Sequence, residues 1–212
     1  VQLRLYGIPE AISAAVCQFP DLKAAVNTVI VAMQMGIPVA RIELLDALQM
    51  DACIRYSKLE GFAAKPTLLF EFHGSEAGVR EQAEAMEAIA GEHAGSAFQW
   101  ATQPEERSRL WKARHNAYYA ALALSPGRQA FSTDACVPIS QLAACIVDTE
   151  RDIASASLPI VLMGHVGDGN FHLGINIDPA VHAEVEEAEA INARLVARAI
   201  TMGGTCTGEH GI

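Results

Sequence analysis

The chain has 212 residues, of which 51% are hydrophobic and 19% charged, with a formal net charge of −10. That length supports one sizeable domain or two small ones, and the composition is that of a globular chain with a real core, not a disordered one. The acidic balance and the lack of a Lys/Arg stripe exclude a nucleic-acid partner, whereas an anionic small substrate needs only one or two local cations.

Strand-like and helix-like patterns alternate along the chain. "VQLRLYG" (1–7) alternates like a half-buried strand, and "PDLKAAVNTVIVAMQMG" (20–36) carries an Asp near its start and a Gly at its end, the punctuation of a helix. "PVARIELLD" and "TLLFEFHGS" read as strands, each followed by a helical run. The clearest helix is "SEAGVREQAEAMEAIAGEHAG", with Ser75 as its N-cap. A strand "AFQWAT", a helix through "PEERSRLWKARHNAYYAALAL", a strand "QAFSTDACVP" and a helix "ISQLAACIVDTERDIAS" follow. The strand "LPIVLMGHV" then turns into "NFHLGINI", and a helix from about Pro179 to Met202 leads to the terminal "GGTCTGEHGI". This order predicts an α+β fold, a mostly antiparallel sheet with helices packed on one face. The hairpin at 161–177 counts against a wholly parallel sheet.

Five cysteines (17, 53, 136, 145, 206) cannot all pair and form no CxxC. They read as reduced thiols of an intracellular protein, cytoplasmic or, in a eukaryote, mitochondrial. No signal peptide is recognisable, and the apolar stretches are too interrupted for a transmembrane segment. Both ends read as cut from something longer, because Val1 opens directly into a strand pattern and the chain stops just inside a motif.

Two Gly-rich stretches carry the chemistry. In "GHVGDGNFH" (164–172) a loop at Gly167-Asp168-Gly169-Asn170 would set Val166 opposite Phe171 and His165 opposite His172. Opposed residues have Cβ atoms about 4.5–5.5 Å apart on one face, so two imidazoles could reach one metal ion. The bland alternative is two histidines merely stacking at a sheet end, and Asp168 reads as a turn residue. In an extended "GEHG" Glu209 and His210 would project to opposite sides, one toward a metal and one toward a substrate. A His₂Glu set with open positions is catalytic in type and accepts zinc, manganese and others. The alternative here is a helix C-cap at Gly203-Gly204 followed by a solvated loop. Neither stretch is a phosphate loop, since no GK[ST] follows.

Arg114 lies on a helix with Tyr118 one turn later, and its guanidinium suits a carboxylate; spacing alone also fits a surface arginine. His115 is uninformative. Ser132 with Asp134, and Glu71 with His73, each share a strand face and read as structural pairs.

Together, "GHVGDGNFH" and "GGTCTGEHG" resemble the signature of the C-terminal domain of FAD-linked oxidases, the family of D-lactate dehydrogenases and glycolate oxidase subunits. The resemblance continues through "ARIELLDALQMDACIRYSK", "LLFEFHGSE", "LWKARHNAYYAALA" and "FSTDACVPIS", covers nearly the whole chain, and is nearest to the D-lactate dehydrogenase (cytochrome) group. It implies a vanillyl-alcohol-oxidase-type flavoenzyme in which residues 1–212 form the ferredoxin-like substrate cap, truncated at its C-terminal end, with the FAD-binding domain absent from this chain. It further implies that His165, His172 and Glu209 hold a divalent metal, Zn or Mn, that His210 is the base, that Arg114 holds the substrate carboxylate, and that Asn170 lies near the substrate. The substrate would be a small 2-hydroxy acid. Ser132, where relatives acting on larger dicarboxylates carry a basic residue, favours lactate. Partners implied are the FAD domain of the same parent chain and an electron acceptor; a homodimer stays open. An ordinary histidine, with a pKa near 6.5, suits removal of the hydroxyl proton, while FAD takes the hydride. On this reading the fragment alone is inactive. The competing readings are a flavin-independent metal hydrolase using His₂Glu, a related glycolate or D-2-hydroxyglutarate dehydrogenase, and a non-catalytic assembly subunit.

Overall fold

The computed structural model describes residues 2, 3, 5 and 7–211. Of the strand expected over 1–7, positions 1, 4 and 6 lie outside the described residues, and positions 2, 3, 5 and 7 have no regular structure. Leu3 and Leu5 are 79% and 87% exposed, so the alternation there meets no core. The first strand is instead β1 (Ala11–Gln18), an Ala-rich run that is buried from Ser13 onward. Such a run is apolar on both sides because both of its sides are covered, and it carries no alternation to read.

The remaining elements follow the expected order. They are α1 (Leu22–Gln34), β2 (Val39–Leu45), α2 (Ala47–Ser57), β3 (Thr67–Gly74), α3 (Glu76–Glu92) and β4 (Ser96–Ala101), then α4 (Pro104–His115), α5 (Ala117–Ala123), β5 (Gln129–Ser132) and β6 (Ala135–Cys136). The chain ends with α6 (Leu142–Ile153), β7 (Ile160–Gly164), β8 (Asn170–Ile177) and α7 (His182–Thr201). The expected caps are in place: the side chain of Asp21 accepts from Ala24 N, and that of Ser75 from Gly78 N. Two expected elements are each split. Asn116 breaks one long helix into α4 and α5, and Thr133-Asp134 breaks one strand into β5 and β6.

One antiparallel sheet runs β4-β1-β3-β2-β7-β8-β5, with β6 paired to β8. Alternate residues sort its two faces. Ala15, Leu44, Phe70, Leu162 and Leu173 pack under α1, α3, α6 and α7 in the main core. Ala14, Val16, Leu45 and Leu69 pack under the shorter α2, α4 and α5. The α+β class and the antiparallel sheet are as expected. The helices divide between both faces instead of lying on one, because the strands at the centre are apolar on both sides. Among the described residues no helix is long and apolar enough to cross a membrane.

Candidate metal centre and active site

The site stands on the second face, at the end of β2, β7 and β8. His172 and Met163 are cross-strand partners on that face. His165 does not face His172 in the ladder as expected. The β7–β8 pairing begins at Met163 and His172, and His165 lies past the strand end, leading into a short 3₁₀ turn at Val166–Asp168. The turn closes at Gly169, whose φ is +77° and where an added Cβ would lie 2.1 Å from the Val137 carbonyl oxygen. Only glycine fits there. Although the register differs, the two imidazoles meet edge to face with centroids 5.9 Å apart.

The terminal loop brings the third group. Glu209 Oε1 lies 2.8 Å from His172 Nε2 and 3.2 Å from His165 Nε2. One ligand atom from each of His165, His172 and Glu209 falls within 4.8 Å of the others. The expectation that Glu209 and His210 would point to opposite sides fails, because the loop is bent and not extended. Glu209 approaches the edge of the His172 ring, and His210 stacks on its face, 4.9 Å between centroids and 5° from parallel.

Asp134 bends the loop. Its Oδ2 accepts from Thr207 Oγ1 and from the backbone N–H groups of Gly208, Glu209 and His210, at 2.7–2.9 Å. Burial pushes its carboxyl up, but the N–H groups of His210 and Glu209, the Asn170 amide and the Thr207 hydroxyl together hold it well below the usual carboxylate range. Asn170 is buried, and its Nδ2 donates to Asp134 Oδ1 at 2.7 Å and to the Ala135 carbonyl at 3.1 Å. It therefore supports the loop from behind. Gly208 passes so close that an added Cβ would lie 2.0 Å from Asn170 Nδ2.

The outer nitrogens of the two histidines are fixed. His172 Nδ1 is 3.1 Å from the Thr133 carbonyl, and His165 Nδ1 is 2.8 Å from Glu43 Oε1. Burial lowers the pKa of His172, whereas the bond to Glu43 raises that of His165. Both Nε2 atoms are thus turned to Glu209. A ligating histidine ordinarily holds its other nitrogen against a carbonyl or carboxylate in this way. The donor set and its supports fit a divalent cation with open positions.

Glu43 sits on β2, only 3% exposed, and its Oε2 accepts from Arg114 Nε at 2.9 Å. Burial alone would raise its carboxyl; the bond from His165, the Arg114 charge and the bond from Arg114 outweigh it, and the pKa is lowered. Arg114, near the end of α4, and Tyr118, on α5, line one pocket of about 170 Å³ with Ser132, Met163, His172, Glu209 and His210. Arg114, His165, His172, Glu209 and His210 are therefore brought together as expected, and Asn170 lines the adjoining cavity of about 390 Å³ with Glu43, His165 and Glu209. His115 stacks on Trp111 and takes no part. The Glu71–His73 pair is an ion pair shared with Arg41. The sequence reading missed Glu43 and the anchoring role of Asp134. The one available sign of Glu43 was a single carboxylate inside the apolar run "IELL".

Residues 8–212 match the family of FAD linked oxidases, C-terminal domain. The chain is 50% identical over 210 residues to the probable mitochondrial D-lactate dehydrogenase of Danio rerio, covering 99% of this chain and 42% of that protein. It is 43% identical over 212 residues to the mitochondrial D-lactate dehydrogenase [cytochrome] of Arabidopsis thaliana, covering all of this chain and 37% of that protein. The chain thus spans about two-fifths of the length of these relatives. The fold is shared with 4-ethylphenol oxidase from Gulosibacter chungangensis, with a TM-score of 0.70 at 15% identity over 95% of this chain and 46% of that one. With that match over almost its whole length, the chain belongs to the FAD-linked oxidase family, as its C-terminal domain.

Proposed function

We propose that this chain is the substrate- and metal-binding domain of an FAD-dependent D-2-hydroxyacid dehydrogenase that oxidises D-lactate to pyruvate. The observation that carries the reading is the convergence of His165, His172 and Glu209 beside Arg114 and His210 in one small pocket. The relatives named D-lactate dehydrogenase support the substrate. Their names also carry the word mitochondrial, which supports that location should the source be a eukaryote.

In this mechanism Arg114 holds the substrate carboxylate. Its Nε is committed to Glu43, and its Nη2 lies 3.5 Å from His165 Nε2; a cation on His165 would displace that contact and leave the terminal nitrogens for the substrate oxygens. His165, His172 and Glu209 would hold a divalent cation, Zn or Mn, whose Lewis acidity would ease loss of the 2-hydroxyl proton. His210 takes that proton from the hydroxyl oxygen, with its ring kept in plane by the stack on His172. The α-hydrogen must leave with its electron pair, which no side chain can accept; FAD, bound mainly by the FAD-binding domain of the parent protein, would supply that acceptor.

The test is to purify the full-length protein, determine its metal content, and follow flavin reduction by D-lactate, then turnover with an artificial electron acceptor. About one divalent ion per chain and reduction by D-lactate but not L-lactate are expected. A metal-loaded, FAD-loaded protein inert to D-lactate would overturn the substrate assignment.

A further inference from the structure

We infer that Glu43 is a positioning residue that ties the metal centre to the substrate clamp, so that one buried carboxylate sets both. The inference rests on the proposed function of the site and goes beyond it by naming the group that joins its two halves. His165 Nδ1 meets Oε1 at 2.8 Å and Arg114 Nε meets Oε2 at 2.9 Å. The placement follows from the sheet: Leu44 pairs with Gly164, so continuing that antiparallel register by one residue sets Glu43 beside His165. Glu43 and Leu45 then share the second face, under α4 and α2.

The chemistry of the two bonds is specific. A carboxylate accepts at both oxygens, so His165 must carry its proton on Nδ1, which leaves the Nε2 lone pair, 3.5 Å from Arg114 Nη2 and 3.2 Å from Glu209 Oε1, available to a cation. His172 obtains the same tautomer from a backbone carbonyl, which no side-chain substitution can remove. His165 has no such backbone partner and depends on Glu43. The second oxygen fixes Arg114 through Nε, the guanidinium atom that a substrate carboxylate does not need. Glutamine cannot reproduce this arrangement. It has one acceptor and one donor, and must face either Nδ1–H or Nε–H with an NH₂ group. If the NH₂ meets His165, the proton moves to Nε2 and the ligand atom is lost. If it meets Arg114, the guanidinium turns away.

The experiment uses the full-length protein, wild type and Glu43→Gln. Mn²⁺ affinity is measured by equilibrium dialysis without substrate, and the KM for D-lactate is measured at saturating Mn²⁺. Glu43→Gln is expected to weaken Mn²⁺ binding by about 10–100-fold and to raise KM at saturating metal as well. A change in only one of the two quantities, or in neither, overturns the dual role. Should Glu43→Gln fail to fold, Glu43→Asp carries the same test, because drawing the carboxylate back by one methylene must displace both partners together. A wild-type protein that binds no Mn²⁺, or binds it and leaves D-lactate untouched, overturns the proposed function instead, and the two failures are read from different proteins.

Discussion

Asp134 Oδ2 accepts the backbone N–H of Glu209 at 2.8 Å, so the position of Glu209 is set from a strand break 75 residues earlier. Both Asp134 oxygens face only donors: Oδ1 takes the Asn170 amide, and Oδ2 takes the hydroxyl of Thr207 and three N–H groups. Asparagine would have to turn an NH₂ group toward one of these sets. Asp134→Asn is therefore expected to lower stability by about 2 kcal/mol, read by urea denaturation, and to weaken metal binding although no ligand is altered.

The same carboxyl gives a pH dependence with a definite sign. Its folded pKa lies below the unfolded value of about 4. Its contribution is thus fully present above that value and is lost as pH falls through the folded pKa. The difference in melting temperature between wild type and Asp134→Asn should be flat above about pH 5 and shrink steadily below about pH 4. A difference that widens in acid would contradict the assignment.

Gly208 tests the loop without touching a charge. Its added Cβ would meet Asn170 Nδ2 at 2.0 Å and Asp134 Oδ1 at 3.3 Å. Gly208→Ala should displace the loop and cost metal content, measured by mass spectrometry of the purified protein. A lower urea midpoint is expected as well, because Asn170 and Asp134 sit beside Ala135 and Phe171 of the main core.

Removing the metal should be reversible and residue-dependent. Chelation of the full-length protein is expected to abolish D-lactate turnover, and added Mn²⁺ or Zn²⁺ should restore it. His172→Ala should retain no ion after gel filtration, since two donors leave a weak set. Turnover persisting through chelation would remove the cation from the mechanism.

Arg114→Lys keeps a positive charge but loses the planar fork and the Nε bond to Glu43. The KM for D-lactate should rise by about tenfold or more, as a bidentate contact becomes a point charge. Unchanged KM would place the carboxylate elsewhere.

Most elements and the paired His-rich motifs were legible because their information is local: the cap at Ser75, the Gly–Asp–Gly turn and the alternation of "NFHLGINI". What escaped depends on tertiary coverage. β1 shows no alternation because both its faces are buried, and "VQLRLYG" shows an alternation that buries nothing. The His165–His172 register differs from the expected one because the loop spans residues 165–169, ending at the left-handed Gly169, and not 167–170. Glu43 and Asp134 look like ordinary polar positions in their own segments. Their roles exist only once β2 lies beside β7, and β6 beside the terminal loop.

The division of the sheet has a consequence for how such a protein can change over evolutionary time. Phe171, Leu173 and Ile175 of β8 anchor the larger hydrophobic core, while His172 and Gly174, on alternate positions of the same strand, point into the pocket. Ser132 and Met163 flank them on neighbouring strands. Changes in what the pocket accepts can therefore act on one parity of positions while the other parity keeps the domain folded, so that altered pockets are reachable by single steps that leave the scaffold intact.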